Sequence, residues 1–397
     1  MGETEQRQIR VCVVGCGGVS ASHLAAYQEN RLSTLVSCVD IRPEVAERAA
    51  QRHGAARSET SWEEAITRDD VDLVDVCMPH ELHAPVSIGA ARARKHIFVE
   101  KPIANTLEEA DAMIAAARDA GVQLMVDQTK RFEPRHQKIK ELVEAGVIGR
   151  PVLAKSAYPQ DITYSWDHME PGRKRTYWKH DGVIGGIGIH TLDMLRWLLG
   201  EVESVSAFAG TSRLLGEDRR TEDSGIVLLR FRSGAIAEST VSYVLRDPRM
   251  AASWGLMPLQ LFGEDGSIQM DLEDHLRVFS YRGAMPLLEA QPAGAGAGTP
   301  GEERTNLVPG LPPLYGAVDV QLQPPSGAGG LPPRGFAGAI DALLRALSEG
   351  RPVPVPGEEG RRSLELVLAA YRSVEMGRSV SLPLEGDGGE RGGHAAQ

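Results

Sequence analysis

A glycine-rich turn, an acid and a lysine turn are the residues of this chain whose types and spacing first point to chemistry. Gly15-Cys16-Gly17-Gly18-Val19-Ser20 directly follows a short apolar run and opens a helical stretch. Gly15 suits a tight turn, Gly17 lets the backbone approach a pyrophosphate, and the third position, here Ser20, must be small for helix and strand to close. Amides at the start of such a helix, those of Gly18, Val19 and Ser20, cradle phosphates. Read alone, the loop is also compatible with an ordinary turn. Asp40 ends the next apolar run, twenty residues beyond Ser20, where an acid accepting both ribose hydroxyls of NAD is expected. Its plain alternative is a strand-end cap. Asp40 repels a 2′-phosphate and so favours NAD over NADP, while Arg42 is suited either to pairing with that phosphate or to stacking on adenine. Glu100-Lys101-Pro102 follows a later run, and a lysine at the carboxyl end of a parallel strand faces the crevice where such sheets bind ligands.

The elements that must position these residues alternate. Ile9–Val14, Leu35–Val39, Leu73–Met78, His96–Val99 and Gln123–Val126 read as strands. Ala21–Asn30, Pro43–His53, Pro85–Arg94 and Leu107–Ala120 read as helices between them. Ser61 with Glu64 and Thr106 with Glu109 form capping boxes, in which each side chain satisfies an orphan amide. The alternation predicts βαβ units and a doubly wound parallel sheet, an α/β Rossmann domain over 8–130. Beyond it the texture changes to strand-like runs with few helices: Pro151–Ala157, Val202–Ala209, Gly225–Phe231, Ala235–Tyr243, Leu259–Phe262 and Ser267–Asp271. These predict a mostly antiparallel, open sheet in an α+β domain over 131–384, closed by helices at Phe336–Ser348 and Leu364–Met376. Residues 284–335 are rich in Pro and Gly and read as a long loop, and 385–397 as a disordered tail.

The chain has 397 residues, 42% hydrophobic and 5% aromatic, and a net charge of −11. The acidic balance offers no broad cationic field for nucleic acid or an anionic membrane, so a small-molecule partner is expected. Cys12, Cys16, Cys38 and Cys77 form no CxxC pair and read as reduced, buried thiols. No long uncharged apolar run occurs and Met1 to Arg10 is polar, so the expected location is cytoplasmic. His80-Glu81-Leu82-His83 lacks the HExxH spacing, and no metal is expected.

Taken together, Gly15-Cys16-Gly17, Asp40, Met78-Pro79-His80-Glu81-Leu82-His83, Glu100-Lys101-Pro102, Arg131-Phe132 and Gly188-Ile189-His190-Thr191-Leu192-Asp193 resemble the glucose-fructose oxidoreductase, inositol dehydrogenase and MocA (Gfo/Idh/MocA) family over nearly the whole chain. The resemblance implies a nicotinamide-dependent oxidoreductase of cyclic sugars or polyols. In it, Lys101 contacts the reacting oxygen, Glu100 and Pro102 position that lysine, and Pro79, His80 and His83 line the nicotinamide ribose. An ammonium beside that oxygen stabilises developing alkoxide as hydride leaves for the nicotinamide. By the same resemblance His190 is the acid/base, a role that suits an imidazole near neutrality. Asp193, one turn on, either binds substrate or holds the helix start. Arg131 is a cofactor-side or interface residue. Dimers or tetramers packing through the open sheet are implied as well.

Many members carry an aspartate four residues before this histidine, where this chain has Gly186. Either Asp181, His180, Asp193 or a substrate hydroxyl takes over, or the chemistry is altered or lost. The segment from Tyr158 to Asp181 is rich in aromatic rings, and Trp166, Trp178 and Lys179 are substrate candidates, with a plain solvated loop as the alternative. Three functions follow: an NAD-dependent dehydrogenase of a ring hydroxyl, an NAD-using enzyme that cleaves glycosidic bonds by oxidation and elimination, and a non-catalytic regulator that binds dinucleotide and sugar.

Overall fold

The computed structural model describes residues 7–163, 182–214, 221–246, 257–272, 275–281, 317–320 and 335–384. Two compact units result: residues 1–133, 327–371 and 383–397 form one, and 134–326 with 372–382 the other.

In the first unit, six strands are all parallel: β1 (Ile9–Val14), β2 (Ser33–Val39), β3 (Arg57–Glu59), β4 (Leu73–Val76), β5 (His96–Val99) and β6 (Leu124–Val126). Their order is β3-β2-β1-β4-β5-β6. Helices α1 (Ser20–Glu29), α2 (Pro43–His53), α3 (Trp62–Ile66), α4 (His83–Arg92) and α5 (Leu107–Ala120) connect them. The Ser and Thr halves of the predicted boxes form, Ser61 accepting from the Glu64 amide and Thr106 from the Glu109 amide, while the Glu109 side chain accepts the Asn105 amide in place of that of Thr106. The order reverses direction between β1 and β4, and ligands of open α/β sheets bind outside the strand ends at such a switch point. The Gly15 loop leaves β1 there, and the Met78–His80 turn leaves β4.

The two late helices, α8 (Phe336–Ser348) and most of α9 (Gly357–Met376), belong to this unit rather than to the second domain. Ala339, Ile340, Leu343, Leu344 and Leu364 join the same core as Val11, Leu24 and Phe98. The apolar stripe of α8 packs on α1 and the Thr129–Phe132 turn of the Rossmann unit, which chain order hides. Gly360 permits α9 to approach β6, since a Cβ there would meet Val126 at 2.5 Å.

The second unit carries α6 (Pro134–Glu144), α7 (Ile189–Leu199) and a sheet of β7 (Pro151–Pro159), β8 (Val202–Gly210), β9 (Ser224–Phe231), β10 (Ile236–Ser242), β11 (Leu259–Gly263), β12 (Gly266–Met270), β13 (Leu276–Ser280), β14 (Ala317–Val320) and β15 (Val380–Ser381). Among the described residues the order is β14-β13-β12-β11-β7-β10-β9-β8-β15, antiparallel except for β7 with β10. β14 lies within the stretch expected to be loop; the rest of 284–335, apart from Gly335, and the tail 385–397 lie outside the described residues. One sheet face is buried through Ala154, Val227, Leu229, Ala237 and Val241. On the other, Phe208, 74% exposed, pairs across strands with the exposed Ile226, and Leu228 and Ile236 are exposed too. No described helix is long and apolar enough to cross a membrane.

Candidate active site

The first unit assembles its site at the carboxyl ends of β1, β2, β4 and β5. Gly15 adopts φ +95°, and a Cβ there would lie 2.4 Å from the Cys77 carbonyl oxygen, so only glycine fits where the loop passes β4. Gly17, Gly18 and Val19 are exposed, and a Cβ at either glycine would meet nothing within 4 Å. That open cradle, at the start of α1, fits a pyrophosphate. Ser20 is buried and donates to the Gly17 carbonyl at 2.8 Å, closing the loop. Asp40 accepts the Cys16 amide at 3.1 Å on Oδ2, and the Arg42 amide and Nε at 3.0 and 3.2 Å on Oδ1. The expected ribose acid is therefore also the clamp that holds the loop to β2. Arg42 is turned onto Asp40 while most of its side chain stays in solvent.

Lys101 is half-buried directly after β5. Glu100, buried, accepts the Lys101 amide on Oε2 at 3.1 Å and faces His23 with Oε1. His83 is fully buried, its Nδ1 2.8 Å from the Pro102 carbonyl and its Nε2 2.9 Å from the Met78 carbonyl. Burial, with the His80 ring beside it, pushes its pKa down to about 4, so the ring is neutral at pH 7. Both nitrogens lie against backbone; the neutral ring carries one N–H and donates to one of the two carbonyls, and it sits between the Lys101-Pro102 turn and the Met78-Pro79 turn with no polar atom turned toward a cofactor. Pro79 is exposed and His80 half-buried, their surfaces open to a ligand. Arg131, by contrast, is buried and donates to Glu359 of α9 at 2.9 Å, a tie within the unit.

Beneath Glu100 lies a group that motif reading passes over: His23 of α1, Asp75 inside β4 and Asp127 after β6, all fully buried. An acid within an apolar strand, as in Leu73-Val74-Asp75-Val76, is the signal that could have revealed it, because a buried charge demands a partner. Burial, helped by the charge of Glu100, pushes the Asp127 carboxyl up to about 7. An acid whose pKa is higher folded than unfolded, where it is about 3.9, binds its proton more tightly in the folded chain. Stability from this group therefore falls as pH rises from about 4 to about 7. Asp127→Asn, whose carboxamide mimics the protonated acid, is expected to gain Tm relative to the native chain across that window. A pH-independent difference in thermal unfolding would show Asp127 ionised when folded.

In the second unit His190 stands on the first turn of α7, preceded by a π-helical turn, Ile184–Gly188. Such turns widen the helix locally and recur at functional sites. Glu222 caps the turn, its Oε1 accepting the Ile184 amide at 3.1 Å and its carbonyl the Val183 amide at 3.1 Å. Thr191 fixes α7 by donating to the Gly188 carbonyl and meeting Ser239 of β10 at 2.5 Å. The His190 ring packs against Tyr158 at the end of β7, centroids 5.7 Å apart and tilted 51°. Tyr158 and Glu222 belong to no motif: one is an aromatic at a strand end, the other an acid distant in sequence. Asp193 is buried one turn further on. Gly186 is buried in the π turn, its amide donating to the Gly182 carbonyl at 2.8 Å. Trp166, Trp178, Lys179, His180 and Asp181 lie outside the described residues.

Both parts of the chain are similar to known proteins. Residues 9–128 match the family model described as an oxidoreductase family with an NAD-binding Rossmann fold. Residues 136–269 match the GFO/IDH/MocA C-terminal domain. The levoglucosan dehydrogenase of Pseudarthrobacter phenanthrenivorans is 30% identical over 304 residues, 68% of this chain and 76% of that protein. The myo-inositol 2-dehydrogenase of Thermotoga maritima is 26% identical over 94% of this chain and 98% of that protein. A solved levoglucosan dehydrogenase, in complex with NADH and levoglucosan, superposes with a TM-score of 0.77 at 25% identity, covering 95% of this chain and all of that one. The glycine loop, the parallel six-stranded sheet and the two matched domains together make this chain an NAD-binding oxidoreductase of the Gfo/Idh/MocA family.

Proposed function

We propose that this enzyme transfers hydride between a ring hydroxyl of a sugar, sugar derivative or cyclitol and NAD. The observation that carries the reading is Lys101, set at the end of β5 by a buried glutamate and a clamped turn beside the switch point of the sheet. Gly15, Gly17, Gly18, Val19, Ser20 and Asp40 hold the cofactor, with Pro79 and His80 beside its nicotinamide end. Bound NAD supplies the hydride acceptor. Lys101 holds the substrate oxygen as negative charge grows on it, and His190 takes and returns the hydroxyl proton. Asp193 serves the substrate or the helix start, and the aromatic segment with Trp166, Trp178 and Lys179 supplies stacking and polar contacts. Asp40 next to the ribose disfavours a 2′-phosphate, so NAD is used in preference to NADP. The sugar and cyclitol class is supported by the relatives named above.

The test is a panel of sugars, cyclitols and glycosides with NAD or NADP, following nicotinamide reduction and aglycone release together. NADH formed with one substrate class supports the dehydrogenase. Aglycone released without net NADH transfers the reading to oxidation and elimination, and dinucleotide binding without turnover transfers it to a regulator.

The same reading includes a homodimer or homotetramer joined through the open sheet face, where Phe208, Ile226, Leu228 and Ile236 leave apolar surface exposed. Ile226→Lys combined with Leu228→Glu is expected to reduce the assembly to monomers in light scattering, with secondary structure retained. An unchanged mass would place the contact elsewhere.

A further inference from the structure

His23 occupies a place that hydride transfer does not itself require. It stands on α1, the helix that opens with the phosphate loop, and its ring points into the sheet rather than toward solvent. Nδ1 lies 2.8 Å from Asp75 Oδ2, and Nε2 lies 3.1 Å from Glu100 Oε1 and 3.3 Å from Asp127 Oδ2. The rings of Phe98 and Phe336 pack on it with centroids 5.6 and 5.1 Å away. Tyr27 of the same helix and Cys77 after β4 are the other titratable groups against this cluster, and burial pushes both up, so both stay protonated.

Each ring nitrogen thus faces an acceptor. A neutral imidazole has one N–H and would turn its lone pair onto a carboxylate, whereas the doubly protonated ring donates on both sides. With the Asp127 carboxyl pushed up to about 7 and so about half protonated at neutrality, the imidazolium stands against Asp75 and Glu100, and Lys101 is next in sequence to Glu100.

We propose that His23 is a positioning residue: an imidazolium that, by donating to Asp75 and Glu100 at once, fixes the carboxylate receiving the Lys101 amide and so sets where Lys101 stands. The arrangement joins α1, β4 and β5 through a single ring, so the helix behind the phosphate loop and the lysine turn share one anchor. Burial works against the charge, yet attraction to Asp75 and the hydrogen bonds with Asp127 and Asp75 outweigh it and hold the His23 pKa well above the ordinary histidine value.

The inference rests on the dehydrogenase reading for Lys101, and its test has two arms. In the native chain labelled with nitrogen-15, both ring nitrogens of His23 are expected to resonate as protonated from about pH 5.5 to about 8.5, across the ordinary histidine range. A resonance that titrates near the ordinary value overturns the proposal. In steady-state kinetics, His23→Gln is expected to lower kcat about 10- to 100-fold, the usual loss for a supporting partner, with KM for NAD changed less than about threefold. A merely structural role would lower the melting temperature and leave kcat of the folded protein intact, and that result overturns positioning. Should His23→Gln not fold, Asp75→Asn withdraws only the charge behind Nδ1. Lower kcat with a His23 that now titrates supports the proposal; unchanged kcat and an unchanged resonance overturn it. Native protein that turns over no substrate marks failure of the dehydrogenase reading and takes the Lys101 role with it. Native turnover matched by His23→Gln marks failure of this inference alone.

Discussion

Replacing Lys101 by methionine is expected to lower kcat about 10²- to 10³-fold, the loss seen when one preorganised group facing developing oxyanion charge is removed, while the Kd for NAD changes little. Methionine keeps the length of the stem and removes the ammonium, so the comparison isolates charge from packing. The reason for a kcat effect is that the ammonium meets a nearly neutral hydroxyl in the ground state and an alkoxide-like oxygen in the transition state, and only the difference accelerates the reaction. The measurement is NADH formation at saturating substrate, with NAD binding followed separately by fluorescence. An equal loss of NAD affinity would instead assign Lys101 to the cofactor, and an unchanged kcat would remove it from the chemistry. Glu100 and His83, which hold the turn from behind, make this outcome specific, because the backbone around residue 101 keeps its ties in the variant.

His190→Asn carries the second large effect, an expected loss of about 10²- to 10⁴-fold in kcat/KM for hydroxyl oxidation, the range for a positioned acid/base. The carboxamide retains polarity and approximate size beside Tyr158 but takes up no proton. The native enzyme is expected to lose activity as pH falls and the base becomes protonated, and the variant to lose that acid limb and recover part of its rate toward alkaline pH. A variant whose pH profile retains the native acid limb would show that the base is another group. The result also decides what Gly186 means. A large effect would show that His190 works without an aspartate at that position, while a small one would mark chemistry altered together with the missing acid.

The parallel sheet was legible because its signals are local. Ile9–Val14, His96–Val99, Pro43–His53 and Leu107–Ala120 have the bounds that their apolar runs, caps and terminal glycines predict. Arg57–Glu59 was not, since its three residues are polar and only their register with Ser37 to Val39 makes them a strand. Ala317–Val320 hides among prolines and glycines for the same reason, its partner Leu276–Ser280 being remote in sequence. Candidate site residues divide the same way. Gly15, Asp40 and Lys101 sit at strand ends that the pattern itself marks. The His23 cluster draws on one helix, the interior of one strand and two strand ends, and His23 and Glu100 are 77 residues apart, so no window of sequence contains it. His83 shows the converse: its place beside a proline turn suggested a ligand-facing ring, and only the positions of two backbone carbonyls reveal a clamp.

The return of Phe336–Ser348 and Gly357–Met376 to the core of the first unit fixes an order of events during synthesis. A ribosome that has released the first 133 residues has delivered every strand of the first unit's sheet, yet the apolar seats of Ala339, Ile340, Leu343 and Leu344 are still empty. The unit begun first stays incomplete until these helices emerge, and in the interval its nascent core presents those seats as bare hydrocarbon. Closing a loop of some two hundred residues adds little entropy beyond that of a shorter one, because the cost grows only with the logarithm of length. The arrangement thus costs little stability, and the apolar seats stay uncovered until residues 336 to 371 emerge.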